Sequence, residues 1–381
     1  MNIPLIFFSG LGIIYLSFLI LLARYWPKKN KGKAMPQIHS VKYAATVLVP
    51  FRNERHHLPQ LLTSIQKLSY SSLEVIMIDD HSEDGGYEWL QEEVAKWKLG
   101  YITLIKSAGE GKKAALSTGV TLATSSIILT TDADCSLPED WVQAFLSEFD
   151  DEKIQLVAGP VLTKRGEGWL RRFQYVEWSS VLLLTNFFFK TKSPQMCSGA
   201  NLAYRKEAFY HLKGYLGNEN LLSGDDAFLL RKVQQFFGNQ AVKYSLDRRL
   251  LVWTTAADSL GDLMSQRIRW AGKWRGFGSK VNALAALLSF VFGLMNIASF
   301  GWLLSGNEGW KIFAVWWGSK LMVEIYVLTF PFRYWQIRWK MMDVLLASFI
   351  HPFYVFLVGI GTWFSQPTWK GRPVIQAKKQ A

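Results

Sequence analysis

The residues best suited to chemistry are two aspartates, Asp132 and Asp134, that directly follow the apolar and β-branched run 127–131. Such a run predicts a buried strand. A buried strand that ends in acids carries their charge to the edge of a sheet, where open α/β folds bind ligands. Carboxylate oxygens there suit a hard divalent cation such as Mg²⁺ or Mn²⁺, which commonly bridges to phosphate oxygens. Aspartates also favour turns, so the pair alone is compatible with a simple strand-terminal turn.

Further charged groups stand where other predicted strands end or where predicted helices begin. They are Glu54, Asp80, Lys112, Asp225 and Asp226. The last two open the helix predicted over 227–237, where acids are favourable at the N-terminus.

The elements that must position these groups alternate between strand and helix. Strands are predicted at 45–50, 73–78, 101–105 and 127–132, with helical spacing of apolar residues between them. This alternation indicates parallel βαβ units. The groups that follow successive strands would then share one edge of the sheet.

Composition points to a membrane. The chain of 381 residues is 50% hydrophobic, contains 17 tryptophans and carries a formal charge of +13. Its basic residues gather beside apolar segments, which favours a surface of anionic lipids over a nucleic acid. With only Cys135 and Cys197 present, no disulfide framework is expected and a reducing compartment fits.

The first apolar run, 3–23, is long enough to span a bilayer and predicts an N-terminal anchor over 1–24. It lacks a preceding basic residue and a small-residue cleavage site, so a removed signal peptide is not expected. Basic residues from Arg24 to Lys33 place the following domain in the cytoplasm, predicting a multi-pass protein of the plasma membrane.

The remaining apolar segments flank or follow this domain. The aromatic segment 169–189 contains Glu177, which favours an amphipathic helix at the membrane interface over a span. Three more segments, 281–304, 312–332 and 344–364, predict a membrane region over 281–365. Lys320 and Glu324, one helical turn apart, should pair or face a protein interior.

A basic tail over 366–381 ends the chain. Counting spans from a cytoplasmic domain puts this tail outside, against the positive-inside rule. Either the rule fails here or one segment is re-entrant, the one containing His351-Pro352 being a candidate.

Six motifs follow one another in order along the chain: Val47–Glu54, Ile78–Ser82, Gly111-Lys112, Asp132-Ala133-Asp134, Asp225-Asp226 and Gln266-Arg267-Ile268-Arg269-Trp270. Together they resemble the membrane-bound branch of the family 2 glycosyltransferases. The resemblance covers about residues 44–275 and implies an inverting enzyme of GT-A fold, a Rossmann-like α/β domain with a mostly parallel sheet over 42–275. One N-terminal and about three C-terminal transmembrane helices are consistent with this resemblance.

The resemblance implies a nucleotide-sugar donor, and the expected donor is a UDP-sugar. Asp80 would accept the uracil imide hydrogen, with Pro50 and Glu54 near the ribose or base. Lys112 would offset diphosphate charge, whereas Lys113 is expected to be solvated. Asp132 and Asp134 would hold Mg²⁺ or Mn²⁺ against the diphosphate as it leaves.

The resemblance also implies a base and an acceptor site. Asp226 matches the base that removes the acceptor proton, with Asp225 as its rival, because the family pair is more often Glu-Asp. Gln266 and Arg269 would contact the donor, Arg269 by forked hydrogen bonds to diphosphate. Trp270 would stack under the acceptor. Arg267 is expected to be an interface charge.

Three functions remain open at this level. The first is transfer of one sugar to a membrane lipid; the second is a processive polysaccharide synthase of the cellulose, hyaluronan or poly-N-acetylglucosamine type. Four spans with only Lys320 and Glu324 as clear intramembrane charges make a poor polymer channel, which favours the lipid acceptor. A non-catalytic membrane scaffold would have lost some of the acids or the Q-x-x-R-W motif, and none is lost.

Overall fold

A computed structural model describes residues 3–28, 43–218, 224–276, 280–364, 368–370, 372 and 373. The chain divides into two compact units. The helical unit comprises Met1–Lys31, Arg165–Phe187 and Ala256–Pro367; the α/β unit comprises Gly32–Lys164, Phe188–Thr255 and Thr368–Ala381. Two segments of the predicted 42–275 domain are thus grouped with the apolar helices.

Twelve strands occur among the described residues. They are β1 Ala45–Phe51, β2 Leu73–Asp79, β3 Ile102–Lys106, β4 Ile127–Thr130, β5 Cys135–Ser136, β6 Leu156–Ala158, β7 Val161–Thr163, β8 Leu202–Arg205, β9 Val242–Tyr244, β10 Val252–Thr254, β11 Thr368–Trp369 and β12 Arg372–Pro373. A seven-stranded sheet has the order β3-β2-β1-β4-β8-β6-β9, and a small sheet has the order β5-β10-β7. In the large sheet β8 runs antiparallel to β4 and β6, and the other pairs are parallel.

The helices are α1 Ile3–Tyr25, α2 Leu58–Gln66, α3 Gly86–Lys96, α4 Lys112–Leu122, α5 Trp141–Leu146, α6 Trp169–Lys190, α7 Lys206–His211, α8 Asp225–Phe237, α9 Leu260–Gly276, α10 Lys280–Ala298, α11 Gly306–Leu328, α12 Phe330–Tyr334 and α13 Met341–Phe364. Short 3₁₀ turns cover Ser147–Phe149, Asn239–Ala241, Arg248–Leu250 and Ser299–Leu304.

The core of the α/β unit lies between the large sheet and the helices that cover it. Leu48 and Ile78 from adjacent strands pack with Leu116 of α4 and Leu229 of α8. A β-carbon at Gly119 would come within 3.0 Å of the Leu48 and Ile78 side chains, so glycine lets α4 lie close to the sheet. This close packing brings the N-terminus of α4 to the strand ends that carry the acids.

Pro50 is a proline in a central strand, where a missing N–H normally disrupts the ladder. Its pairing explains the exception. Pro50 lies opposite Ile78 on β2, whereas pairing between β1 and β4 stops at Leu48 and Thr130. At Pro50 the neighbouring strand β4 has already ended, so no carbonyl of β4 needs an N–H from this position.

In the helical unit, four segments are long and apolar enough to cross a membrane: Phe8–Tyr25, Ala283–Leu304, Gly306–Tyr334 and Met341–Phe364. This confirms the predicted set of one N-terminal and three C-terminal apolar helices. Lys320 Nζ lies 2.7 Å from Glu324 Oε2, with both side chains buried, as the spacing predicts.

The acid that makes 169–189 unsuitable as a simple span is also paired. Arg267 donates through Nε and Nη2 to the two oxygens of Glu177, at 3.0 and 2.6 Å, and both residues are buried. The expectation that Arg267 is an interface charge is therefore wrong: an unpaired carboxylate at this depth would be costly, and the guanidinium satisfies it.

The end of the chain returns to the α/β unit. β11 and β12 form an antiparallel pair, and Lys370 and Arg372 contact acids of that unit. Of the two alternatives that the sequence leaves open for the tail, these contacts favour the one in which an apolar segment is re-entrant. The tail beyond Pro373 lies outside the described residues, as do Lys31 and Lys33 of the first basic cluster.

Candidate active site

Asp132 and Asp134 lie just beyond β4, which ends at Thr130. Asp134 Oδ2 accepts a hydrogen bond from Thr254 Oγ1 at 3.0 Å, so β10 fixes one side of the carboxylate. Burial, with added repulsion from Asp132, raises the pKa of Asp134 to about 6. Two carboxylates held this close repel each other, and a cation between them would relieve that repulsion.

These residues fit a divalent metal. They offer hard oxygen ligands, burial and repulsion from Asp132 raise the pKa of Asp134, and Asp132 remains partly exposed. A metal held there would supply a positive charge to a departing diphosphate. Asp132 and Asp134 are the residues that would hold it.

Lys112, the first residue of α4, links two groups of acids. Its Nζ lies 2.5 Å from Asp132 Oδ1 and 3.6 Å from Asp225 Oδ2. Burial would lower the pKa of Lys112, but the neighbouring carboxylates raise it well above its usual value. The ammonium is therefore permanently charged and lies where it neutralises the acids around it. The next residue, Lys113, is buried and donates to the Asn218 carbonyl, so the expectation that it is solvated is wrong.

Asp225 and Asp226 form the first turn of α8 but occupy different surroundings. Asp225 is buried and faces Lys112, whereas Asp226 is only partly buried. Asp226 Oδ2 accepts a hydrogen bond from the Gly199 amide at 3.2 Å, and Oδ1 accepts one from Ala227 at 2.7 Å.

The turn before β8 is tightly matched to these acids. A β-carbon at Gly199 would come within 2.8 Å of Asp225 Oδ2 and 3.2 Å of Lys112 Nζ. The Gly199 carbonyl in turn accepts from Thr130 Oγ1 at 2.8 Å, which ties the turn to the end of β4. A side chain at this position would displace the acid–lysine network.

Asp80 follows β2 and is almost fully buried. Its Oδ1 accepts a hydrogen bond from the Gly111 amide at 2.8 Å. Gly111 has φ of 91°, a conformation that favours glycine, and this turn directs its N–H at the carboxylate. Arg372 Nη1 lies 3.0 Å from both carboxylate oxygens.

Glu54, in the exit loop of β1, binds two basic side chains. Its Oε2 lies 2.6 Å from His57 Nδ1, and its Oε1 lies 2.8 Å from Lys370 Nζ. Burial would raise the pKa of Glu54, but these two partners lower it below its ordinary value. The hydrogen bond to Glu54 raises the pKa of His57. With His56, these residues form a group whose ligand atoms lie within 4.8 Å, yet both Glu54 oxygens are already engaged.

Gln266, Arg269 and Trp270 lie on α9, in the helical unit. The indole of Trp270 meets that of Trp178 edge to face, with 5.6 Å between ring centroids, and the Arg267 guanidinium lies 4.2 Å from the Trp270 ring. Gln266 Oε1 accepts a hydrogen bond from Arg267. Their predicted contacts with donor and acceptor stay predictions.

The α/β unit thus contains the candidate residues that lie at or beyond strand ends or open helices. They are Pro50, Glu54, Asp80, Lys112, Asp132, Asp134, Asp225 and Asp226. Sequence reasoning missed His57, Thr254, Lys370 and Arg372 as their partners. His57 stands three residues after Glu54, a spacing that could have indicated the pair. No local pattern could have placed Arg372 beside Asp80, 292 residues earlier.

Comparison with known proteins agrees with this arrangement. Residues 46–213 match the family model for glycosyl transferase family 2. Two curated relatives, both poly-beta-1,6-N-acetyl-D-glucosamine synthases from Staphylococcus epidermidis, are 23% and 24% identical over 64% and 61% of this chain. The matched part spans only 57% and 55% of those relatives.

A solved structure shares the fold. The mannosyltransferase PcManGT from Pyrobaculum calidifontis, in complex with GDP-Man and Mn²⁺, superposes with a TM-score of 0.60 at 17% identity, covering 94% of this chain and 96% of its own. The mostly parallel sheet and the matched family confirm the predicted GT-A fold. The chain therefore contains a domain, residues 46–213, that matches the family 2 glycosyltransferases.

Proposed function

We propose that the chain is an inverting enzyme that moves a sugar from a UDP-sugar to a hydroxyl of a membrane lipid-type acceptor, with its α/β unit in the cytoplasm. The observation that carries the acceptor class is the pairing of charges in the helical unit. Lys320 and Glu324 bind each other, and Tyr15 Oη donates to Glu324 at 2.5 Å. A polymer path needs polar groups that face a channel, and these groups are buried in internal pairs.

The donor side is proposed from the α/β unit. Asp80 and Glu54 would bind the nucleoside, while Lys112 and a Mg²⁺ or Mn²⁺ ion at Asp132 and Asp134 would offset the diphosphate charge. PcManGT was solved with a nucleotide-sugar and Mn²⁺. The proposal for this chain rests on its own carboxylates, Asp132 and Asp134, and on the raised pKa of Asp134.

Asp226 is the proposed base. It is more accessible than Asp225, and its oxygens accept hydrogen bonds from the Gly199 and Ala227 amides, whereas Asp225 Oδ2 lies 3.6 Å from the Lys112 ammonium. Asp225 would instead hold Lys112 in place.

The second candidate is a processive polysaccharide synthase. The specific observation in its favour is that both curated relatives carry that activity in their names. Because the match spans little more than half of each relative, the whole protein's activity does not follow from the resemblance.

Product analysis separates the two. Membranes that contain the chain should convert radiolabelled UDP-sugars into a product that partitions into chloroform–methanol, and membranes with Asp226→Asn should not. High-molecular-weight label that stays out of the organic phase would establish the polymer synthase. Activity with GDP-mannose but with no UDP-sugar would overturn the proposal that the donor nucleotide carries uracil.

A further inference from the structure

The end of the chain lies on the two acids that the proposed function assigns to the nucleoside. This C-terminal strap consists of β11, Lys370 and β12. Arg372 Nη1 lies 3.0 Å from both oxygens of Asp80, and Lys370 Nζ lies 2.8 Å from Glu54 Oε1. Two cations thus bind two acids that are separated by 26 residues in sequence but lie at neighbouring strand exits.

The strap is also tied to the β1 exit loop through the backbone. Arg52 Nε donates to the Lys370 carbonyl at 3.5 Å, and Lys370 Nζ donates to the Asn53 carbonyl at 3.4 Å. Lys370 has φ of 47°, a left-handed conformation that costs energy in a residue other than glycine. The contacts must offset this cost, so the closed strap is held by its partners and not by its local backbone preference.

With the strap in place, the nucleobase of a donor cannot reach Asp80. The side chain of Asp80 is 1% exposed, and that of Arg372 is 16% exposed. One Asp80 oxygen accepts from the Gly111 amide, and Arg372 binds both oxygens. An imide N–H that approaches this carboxylate must therefore take the place of the guanidinium.

We propose that the C-terminal strap is an autoinhibitory contact, which a donor nucleotide must open by displacing Arg372 from Asp80. The inference rests on the proposed function, because it takes Asp80 as the group that binds the nucleobase of the donor. The apparent affinity for nucleotide then falls by the fraction of molecules in which the strap is open. The device keeps the buried acids paired while the site is empty, since an unpaired buried carboxylate is costly.

The test is the affinity of the full-length protein for UDP, measured in nanodiscs. Arg372→Ala should bind UDP more tightly than wild type, by about tenfold if the closed strap holds about 90% of the empty protein. Arg372→Lys keeps a cation that can reach Asp80 and should lie closer to wild type. Arg249→Ala is the matched control, because it removes an arginine–aspartate pair elsewhere in the α/β unit, at 2.7 Å from Asp247, and should leave UDP affinity unchanged.

Equal or weaker UDP binding by Arg372→Ala would overturn the strap while leaving the proposed donor intact. Failure of both wild type and Arg372→Ala to bind UDP would overturn the proposed function, and the strap with it. A second measurement keeps Arg372 in place: a cysteine introduced by Lys370→Cys, in a Cys197→Ser background, should react faster with a maleimide when UDP is added. An unchanged or slower reaction would also overturn the proposal.

Discussion

At the scale of single residues, the surroundings of Asp225 and Asp226 divide their work. Asp225 is buried opposite Lys112, whereas Asp226 accepts N–H groups at the start of α8. The same pair in sequence therefore offers one structural acid and one candidate base. Only the accessible acid can approach an acceptor hydroxyl.

We expect Asp226→Asn to lower the transfer rate by about 10² or more, because the amide keeps the shape of the side chain but removes its basicity. Nucleotide affinity should barely change, since Asp80, Lys112 and the metal site carry that binding. Asp225→Asn should slow transfer less. Transfer rates and UDP affinities of the two variants are measured in nanodiscs. If Asp225→Asn slows transfer more than Asp226→Asn while UDP binding is intact, the two roles must be exchanged.

Asp134 gives a second prediction at this scale, because burial and the neighbouring acids raise its pKa to about 6. A carboxyl whose folded-state pKa lies above its unfolded value stabilises the fold at low pH and loses that contribution as pH rises through about 6. In EDTA at pH 8, Asp134→Asn should therefore be more stable than wild type, by about 1–3 kcal/mol. At pH 5 the difference should shrink, because wild-type Asp134 is then mostly protonated.

Thermal unfolding in detergent at the two pH values checks this, with and without Mn²⁺. The ion should stabilise wild type and not the variant, because binding to the folded state alone raises its stability. EDTA should abolish wild-type turnover and Mn²⁺ or Mg²⁺ restore it. Lower stability of Asp134→Asn at pH 8 in EDTA would show that ionised Asp134 imposes no cost on the fold.

At the scale of elements, the buried ion pair between α6 and α9 explains how a helix rich in charge can pack beside apolar ones. Arg267 binds both oxygens of Glu177, and Tyr354 Oη of α13 lies 3.3 Å from Glu177 Oε1. Three helices of the helical unit thus meet at one carboxylate. The same contact orients α9, which carries Gln266, Arg269 and Trp270.

Glu177→Gln should destabilise the protein by about 3–5 kcal/mol, because it leaves the Arg267 guanidinium buried without a counter-ion. The double variant Glu177→Leu with Arg267→Met should lose less than Glu177→Gln alone, since it removes both charges. Unfolding midpoints in detergent measure the difference. Asp258→Asn is the control: it breaks the exposed pair with Arg171 and should cost under about 1 kcal/mol. If the double variant is less stable than Glu177→Gln, the ion pair itself stabilises the helices.

The elements also show what the sequence can and cannot predict. Alternation of apolar strands and amphipathic helices was sufficient for β1, β2 and β4 and for the acids that follow them, because local periodicity and turn chemistry determine these. The pairing of β8 antiparallel to β4 depends on contacts between residues about 75 positions apart. The acids that bind Arg267 and Arg372 likewise lie on distant segments, so no local pattern could indicate them.

At the scale of the whole molecule, the strap limits how the chain crosses the membrane. Three apolar helices, α10, α11 and α13, separate α9 from the strap. Because Arg372 binds Asp80, we expect the strap and the α/β unit to share one side of the membrane, and an even number of these helices to cross it completely. This favours the re-entrant alternative, and α13 is the candidate, since Val344, Ala347 and Tyr354 pack with residues of α6 and α9.

Cysteine labelling in intact cells tests this arrangement. Single cysteines are placed at position 2, at exposed Lys98 of the α/β unit and after Ala381, in a Cys197→Ser background. An impermeant maleimide should label only position 2, because the basic residues after α1 favour the cytoplasmic side and the strap returns there. All three should react once the cells are permeabilised. Labelling of the C-terminal cysteine while Lys98→Cys stays protected would mean that the strap and Asp80 lie on opposite sides, and the autoinhibitory contact could not form. Labelling at Lys98→Cys with position 2 protected would reverse the orientation but leave that contact intact.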